Sequence, residues 1–532
     1  MIRGTLMATA SKKAKGRKSA KRPVARKKTV AKAKATPKKK AAAKKKAAPK
    51  KVAPKKVAPK KALPKKVAAK KAVPKKVARK QAAPKRIVPK KVSPASAAPP
   101  PTPARSTAKT IVLYPEAAYG PALNCVGIAQ QLKAMGHNPV FVCDRGFKGE
   151  FEKYGFEENL VDMSGGMSDE EIANFWVNFI AGHLPHFRLP PIDQLPTYVI
   201  PVWEAIVDSA IISHDGLAAH LKRLKPNVVC VDNVILFPAI KQYGKPWIRI
   251  ISCSENEIPD PDIPPHLSGC SEGDHDCYRA FEARFLELVK PTHQRFNEFL
   301  QKVGHPPYPL GEFFEASPFM NLLLYPRQLQ FKRRTPLDPA RFQYLEGCVR
   351  SEGAYTVPAF AARGDKPLVY VSFGSLGAAD IDLYKRMIAL FGELPYRFLM
   401  NVGPHVGQYT SVPGNVHLEK WYPQPAVIPE VDLVIHHGGN NSFNEALYFG
   451  KPAIIMPYCW DGLDNATRID DTGYGAKLPR YTWTDDQMWS TIERLLTDAA
   501  MQARLAEVSR SMQAAKGTEK AARLIAEIAT RA

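Results

Sequence analysis

The sequence predicts an α/β protein: two doubly wound domains facing each other across a cleft, preceded by a disordered basic tail. Three observations carry that prediction. Charge divides the chain first: of 78 Lys and Arg, 39 lie in residues 1–110, which hold no acidic residue, so the remaining 422 carry 39 basic and 49 acidic side chains, a net charge of −10. Two strand–turn–helix series then open separately, at Thr110 and at Leu368, with an aperiodic stretch, 346–366, between them. Finally, within the second series, an apolar run at 431–435 ends in Gly438 and Gly439, directly before a helical pattern. These give five segments: tail 1–108, domain 109–345, linker 346–366, domain 367–510 and a C-terminal helix 511–532.

The tail is built of Ala, Pro, Lys and Val, has no aromatic residue, and carries proline at 49, 54, 59, 64, 74, 84, 89 and 94. Such a chain cannot bury a core; like-charge repulsion and regular proline keep it extended with polyproline character. It resembles the Lys/Ala/Pro-rich tails of linker histones and their bacterial look-alikes. It reads either as a solubilising tether or as an arm binding DNA, RNA or an anionic membrane surface without sequence preference. No apolar stretch reads as approaching the ~20 residues of a transmembrane helix, and Met1 to Lys12 lack a signal-peptide core. A cytoplasmic protein is expected, with nucleoid association as the alternative. Eight cysteines, several within apolar runs, fit reduced buried thiols better than a disulfide framework. Cys270 and Cys277 beside His266 and His275 match no tight zinc spacing, and no metal or cofactor is expected.

The first domain opens with a strand at 110–114, a turn at 115–121, a helix at 126–135 ending at Gly136, and a strand at 139–143. Residues 168–224 read as helices interrupted by a proline-rich stretch, 185–201. Phe175, Trp176, Phe179, Phe187, Tyr198 and Trp203 cluster there, either as ordinary helix packing or as the lining of an apolar pocket. A strand at 228–231 ends in Asp232, 278–302 reads as a long amphipathic helix, and 319–325 as a strand closing the domain. The second domain opens with a strand at 368–373 and the turn Gly374-Ser375-Leu376-Gly377; residues 485–532 are helical in pattern.

The 431–447 unit is an anion seat by its chemistry. Glycines let backbone approach a ligand, and the first helical N–H groups lack intrahelical partners and carry the positive end of the dipole. His437 and Ser442 add side-chain donors. Ser442-Phe443-Asn444-Glu445 is equally a capping box, satisfying the helix N-terminus and nothing more. Trp421 and Gln424 before the seat, and the turn Pro457-Tyr458-Cys459-Trp460-Asp461 after it, place polar groups outside the ends of parallel strands, where open α/β sheets bind nucleotides.

Read in order, W-x-P-Q, H-x-G-x-N-S-x-x-E, G-x-P, P-x-x-x-D and N-A-x-R over 421–468 resemble the nucleotide-diphosphate-sugar glycosyltransferases of the two-Rossmann GT-B type, including plant and macrolide enzymes. The resemblance implies an inverting, metal-independent transfer from a UDP- or dTDP-sugar to a small, largely apolar acceptor. It implies that Trp421 stacks on the base and Gln424 contacts base or ribose. It implies further that His437, Asn441 and Ser442 hold the diphosphate, Glu445 the ribose and Asp461 the sugar, with Gly439, Asn440 and Ser375 also on the donor side. Gly462 stands where most members have a sugar-binding glutamine, and Pro121 where they have the catalytic histidine. A base must still take the acceptor's proton. Glu116, in the same turn, and Asp232, where the family often has the aspartate that orients its histidine, are the replacements; His183 and His186 stand behind them. Glu116 reads alternatively as a solvated turn residue, Asp232 as a helix cap, and the histidines as surface groups. Two rival functions are a catalytically silent glycosyltransferase-like binding module and a nucleoid-associated protein working through its tail.

Charge alone generates one prediction for that tail. Binding of the full chain to duplex DNA should be indifferent to sequence, and log affinity should fall with log salt by about 0.9 for each phosphate neutralised. Truncation of residues 1–105 should abolish this binding and leave nucleotide-sugar affinity unchanged; a fall in that affinity would contradict an independent tether.

Overall fold

The computed structural model describes residues 108–531, without the side chains of Ala173, Trp176, Val177, Ile180 and Ser375. The expectations for the tail, and for the Trp176 and Ser375 side chains, lie outside the described residues.

The first half runs β1 (Thr110–Pro115), α1 (Tyr119–Ala134), β2 (Asn138–Asp144), β3 (Glu157–Val161), α2 (Asp169–His183), α3 (Ile200–Leu224), β4 (Val228–Asp232), β5 (Trp247–Ile251), α4 (His275–Lys302), β6 (Met320–Leu323) and β7 (Phe342–Tyr344). The second runs β8 (Leu368–Ser372), β9 (Arg397–Asn401), β10 (Val416–Glu419), β11 (Leu433–His436), α5 (Asn440–Tyr448), β12 (Ala453–Ile455), α6 (Asp461–Asp471), β13 (Gly475–Lys477), α7 (Ala499–Ala515) and α8 (Gly517–Arg531). Each half forms one parallel sheet, in the orders β3-β2-β1-β4-β5-β6-β7 and β10-β9-β8-β11-β12-β13. The central strands are buried along their length, Leu368 to Ser372 without interruption, as expected of parallel strands covered on both faces. Strand order reverses between β1 and β4 and between β8 and β11, and at both places the carboxyl ends come together: Pro115 pairs with Asp232, and Ser372 with His436. These switch points are where such sheets bind ligands.

Several expectations change. The first domain does not close with the strand at 319–325; β6 is followed by β7 at its edge. Helix α1 starts at Tyr119, inside the expected turn, with Pro121 third in the helix, where no intrahelical N–H bond is lost. The proline-rich interruption is shorter than expected, because Pro191 and Ile192 already begin helical structure that leads into α3. The 34-residue run Pro191–Leu224 is, by length and composition, apolar enough to cross a membrane, contrary to the sequence reading; in the fold Trp203, Val207, Ala210, Leu217 and Leu221 of this run are buried in the first domain's core. Cys270 and Cys277 are joined in a disulfide, Cα atoms 6.0 Å apart, so the reduced-thiol expectation holds only for the six buried free cysteines.

The second domain extends past residue 510. Met501, Leu505, Val508 and Met512 of α7 belong to its core. Helix α8 then crosses back, and its Ala521, Ala522, Ile525 and Ala529 are fully buried with Ile111, Leu113, Val126 and Ile128 of the first domain. Small residues on that face let α8 approach α1 closely. The crossing point is Gly517, which lies against the carbonyls of Leu345 and Gly347 with no space for a side chain.

His436, at the end of β11, is fully buried, and the Gly438 N–H donates to its Nδ1 at 3.1 Å, which requires a neutral ring. Burial, followed by the neighbouring His437, pushes its pKa down from 6.5 to about 3. The unfolded chain thus binds a proton below about pH 6.5 that the folded chain refuses until about pH 3. Its stabilising contribution is complete above that range and is lost as pH falls through it, at up to about 1.4 kcal/mol per pH unit. Urea unfolding of His436→Asn should therefore weaken less steeply than wild type between pH 6.5 and 4; equal slopes would contradict a buried neutral His436.

Candidate functional site

The seat at the end of β11 is built from close backbone contacts. Gly438 has φ +97°, and a Cβ there would lie 2.6 Å from the Gly462 carbonyl oxygen; a Cβ at Gly462 would lie 2.5 Å from the carbonyl oxygen of His437. The start of α6 is thereby pressed onto the glycine turn, and no side chain fits at position 462. The His437 ring is sandwiched in the same way: Cβ atoms at Gly374 and Gly439 would meet it at 2.8 and 2.6 Å, and it stacks on Tyr458 with ring centres 5.3 Å apart. Burial, followed by the charge of Arg480, pushes the His437 pKa down to about 4, so the ring is neutral near pH 7.

Helix α5 begins at Asn440 with Gly439 as its N-cap and no side-chain cap. The capping-box alternative therefore fails: Ser442 is third in the helix, and Glu445 turns to other partners. Its carboxylate pairs with Arg350 at 3.1 Å and accepts from Gln424, whose amide also donates to Ser442 Oγ at 2.9 Å. Burial raises the Glu445 pKa, and Arg350 and Gln424 work against that rise. Asn440 gives its N–H to Asp461 at 2.8 Å, and its side-chain amide donates to the carbonyls of Ser252 and Leu324, both at 2.8 Å, in the first domain. Asn441 likewise donates to the Gly120 carbonyl at 3.1 Å. Asn440 and Asn441 thus join the domains with their side chains and leave backbone to face the seat. The N–H groups of Asn441 and Ser442 have no residue a full turn behind them inside the helix. Trp421, three residues before Gln424, is 56% exposed.

Helix α6 carries the rest of the docking. Asp464 accepts from the N–H groups of Leu267 and Gly269 at 2.7 and 2.9 Å. Thr467 donates to the Gly269 carbonyl at 2.9 Å, and Arg468 to the carbonyls of Leu329 and Gln330, both at 2.7 Å. The N-A-x-R element is therefore an interdomain clasp.

The base candidates separate by depth. Asp232 is 2% exposed and accepts from Ser252 Oγ at 2.7 Å, with burial holding its carboxyl well above the usual range; it is neither a helix cap nor open to the cleft. Glu116 follows β1 and is partly exposed; withdrawal from water, then Glu257 and Asp461, raise its pKa to about 7. Asp461 is raised to about 7 by burial, against the Asn440 N–H. His183 and His186 face each other at 2.9 Å, beside Tyr198 and Phe179. Phe187, Tyr198 and Trp203 are buried and pack with Tyr458 and Trp460 of the second domain, so ordinary packing describes these three.

Three residues at the site, Arg350, Arg480 and Asp464, were not read from the sequence, and His266 was read only beside the cysteines. Arg480 is 3% exposed, lies over the rings of Phe373 and Tyr458 at 4.3 and 4.8 Å, and places a buried positive charge behind His437. Their partners lie far away along the chain, and only the spacing of Asp461 and Asp464 on one face of α6 offered a signal.

Residues 398–527 match the family model described as Erythromycin biosynthesis protein CIII-like, C-terminal domain. Among curated proteins the chain is 24% identical over 261 residues to the NDP-glycosyltransferase YjiC of Bacillus subtilis (strain 168), covering 48% of this chain and 66% of that one. It is 28% identical over 250 residues to the oleandomycin glycosyltransferase of Streptomyces antibioticus, covering 46% and 56%. The match thus spans less than two thirds of the length of either relative. Among solved structures, the glycotransferase of kitacinnamycin superposes with a TM-score of 0.60 at 23% identity, covering 79% of this chain and 99% of that one. The glycosyltransferase VinC in complex with DTDP superposes at 0.55 and 18% identity, covering 79% and 100%. Sequence and fold thus agree with the resemblance read from residues 421–468: the chain is similar to glycosyltransferases in sequence and has the two-domain GT-B fold.

Proposed function

We propose that the protein is an inverting glycosyltransferase that moves a sugar from a UDP- or dTDP-sugar to a small, largely apolar acceptor. The observation that carries this reading is the seat at the start of α5. Two unpaired helix N–H groups, a neutral His437 and the Ser442 hydroxyl converge at a switch point, beside the exposed ring of Trp421. Helix N-terminal donors favour a diphosphate, and an aromatic face suits a nucleobase. A structural neighbour that holds DTDP supports a nucleoside diphosphate here, and a relative named for oleandomycin supports a small organic acceptor.

In the reaction the acceptor oxygen attacks the anomeric carbon, the bond from that carbon to the diphosphate oxygen breaks, and the diphosphate leaves with the electron pair. Charge grows on the leaving oxygens. The N–H groups of Asn441 and Ser442 and the His437 ring are fixed before the reaction, so they stabilise that charge without reorganising. Arg480 adds positive potential behind the ring. Asp461, fastened by the Asn440 N–H, is the carboxylate offered to the sugar hydroxyls. Gly462 offers none, because its Cα lies against the 438 turn. Glu445 reaches the ribose from a site shared with Arg350 and Gln424.

A thermal-shift screen across UDP- and dTDP-sugars, followed by acceptor trials with the best donor, tests the reading directly. Calorimetric titration of UDP and dTDP should show His437→Ala and Ser442→Ala each weakening affinity by about 1.5–3 kcal/mol, the range for hydrogen bonds to charged groups. Affinity equal to wild type in both variants would remove the diphosphate from this seat.

A further inference from the structure

Of the bases read from the sequence, Glu116 is the partly exposed carboxyl, since Pro121 is an ordinary helix residue and Asp232 is sealed behind Ser252. Another group stands where the two domains meet. His266 lies in the first-domain loop after β5, with Nδ1 3.4 Å from Asp464 Oδ2 of α6 and 3.2 Å from Ser254 Oγ. Its Nε2 is buried and has no hydrogen-bond partner. The ring stands edge-on to Trp460 at 6.5 Å, and Trp460 directly precedes Asp461. Asp464 cannot turn away, because the N–H groups of Leu267 and Gly269 fix both its oxygens.

The backbone is strained on both sides of this pair. Leu267 has φ +69° and Trp460 φ +57°, conformations that side chains other than glycine rarely adopt. Such strain persists only where the surroundings enforce it, and it concentrates at functional sites. Here it sets His266 toward α6 from one domain and Asp461 toward the seat from the other.

We propose that His266 is the general base of the transfer and that Asp464, from the facing domain, orients it. The proposal rests on the transferase reading. With its Nδ1 proton directed to Asp464, the ring presents the Nε2 lone pair, which has no protein partner to give up. Nε2 takes the acceptor's hydroxyl proton as the oxygen bonds to the anomeric carbon and the nucleoside diphosphate departs with its electron pair. Asp464 stabilises the resulting imidazolium, which afterwards releases the proton to solvent. Base and orienter belong to different domains, so the pair exists only where the domains meet.

The charges that face His266 are Asp464 and Asp461 from α6, Glu257 from the turn after β5, and Glu116 from the turn after β1. Burial pulls its pKa down, but Asp464, Glu257 and Asp461 lift it further, to a net value above the ordinary imidazole. The neutral, base-competent ring is thus lost as pH falls through a value above 6.5.

The test uses the full chain with UDP-glucose and dTDP-glucose as donors and two probe acceptors, 4-nitrophenol and an aliphatic alcohol, reading the nucleoside diphosphate released. His266→Gln should lower turnover of the alcohol about 10²–10⁴-fold, the usual contribution of general-base catalysis. The loss should be much smaller for the acidic phenol, which arrives largely ionised. The acid limb of kcat/KM should disappear, while calorimetric UDP and dTDP affinity, which also reports an intact fold, stays at the wild-type level. Asp464→Asn should move that limb to lower pH. Wild-type turnover in His266→Gln, an equal loss for both acceptors, or an acid limb removed by Glu116→Gln instead would overturn the assignment of the base and leave the transferase standing. A wild-type protein that binds neither nucleotide and releases none would sink the transferase reading itself.

Discussion

The contact between Gly438 and Gly462 is the constraint on which the site depends. A Cβ on Gly438 would lie 2.6 Å from the Gly462 carbonyl oxygen, and one on Gly462 2.5 Å from the carbonyl oxygen of His437 in the same turn. Because α6 starts there, the Asp461 carboxylate falls on the Asn440 N–H at the head of α5. One turn further on, Asp464 falls on the loop of the first domain. A glutamine at position 462 would supply a polar group to a bound sugar; glycine supplies the close approach that sets two carboxylates.

That approach explains why the binding residues and the docking residues are the same ones. Asn440 and Asn441 head a helix suited to an anion, yet their amides hold Ser252, Leu324 and Gly120 of the other domain. Arg350, at the start of the linker, pairs with Glu445 beneath the seat. Buried polar groups of this kind stabilise only when satisfied, and removal of one partner leaves the other desolvated and unpaired. The domains are therefore held by the groups a donor would meet, and donor binding and domain contact cannot vary independently. Helix α8, buried against the first domain, ties the same halves from the opposite end of the chain.

The parts of this arrangement legible in the sequence are those set by local rules. Buried parallel strands at 110–115, 228–232, 368–372 and 433–436 announce themselves as apolar, β-branched runs, and Gly438 marks the end of its strand. The motif order over 421–468 added the family. What stayed hidden depends on contacts across large separations. Arg350 and Glu445 are 95 residues apart, and Leu267 and Asp464 are 197 apart; no periodicity encodes such pairs. The Ser442 quartet satisfied the rule for a cap, but Gly439 starts the helix earlier and places Ser442 in its first turn. Cys270 and Cys277 were weighed as zinc ligands and not as partners of each other, whereas a separation of seven residues closes a local loop. Trp203 and Tyr198 read equally as core or as pocket, since the two uses require the same residue types.

A crystal structure of the protein with UDP or dTDP bound tests the central claim most directly. It should show the diphosphate against the N–H groups of Asn441 and Ser442 and the His437 ring, the base stacked on Trp421, and the terminal phosphate directed toward Asp461 and the cleft that holds His266. A nucleotide bound elsewhere on the chain, or one at this seat with its diphosphate turned away from α5, would contradict the account.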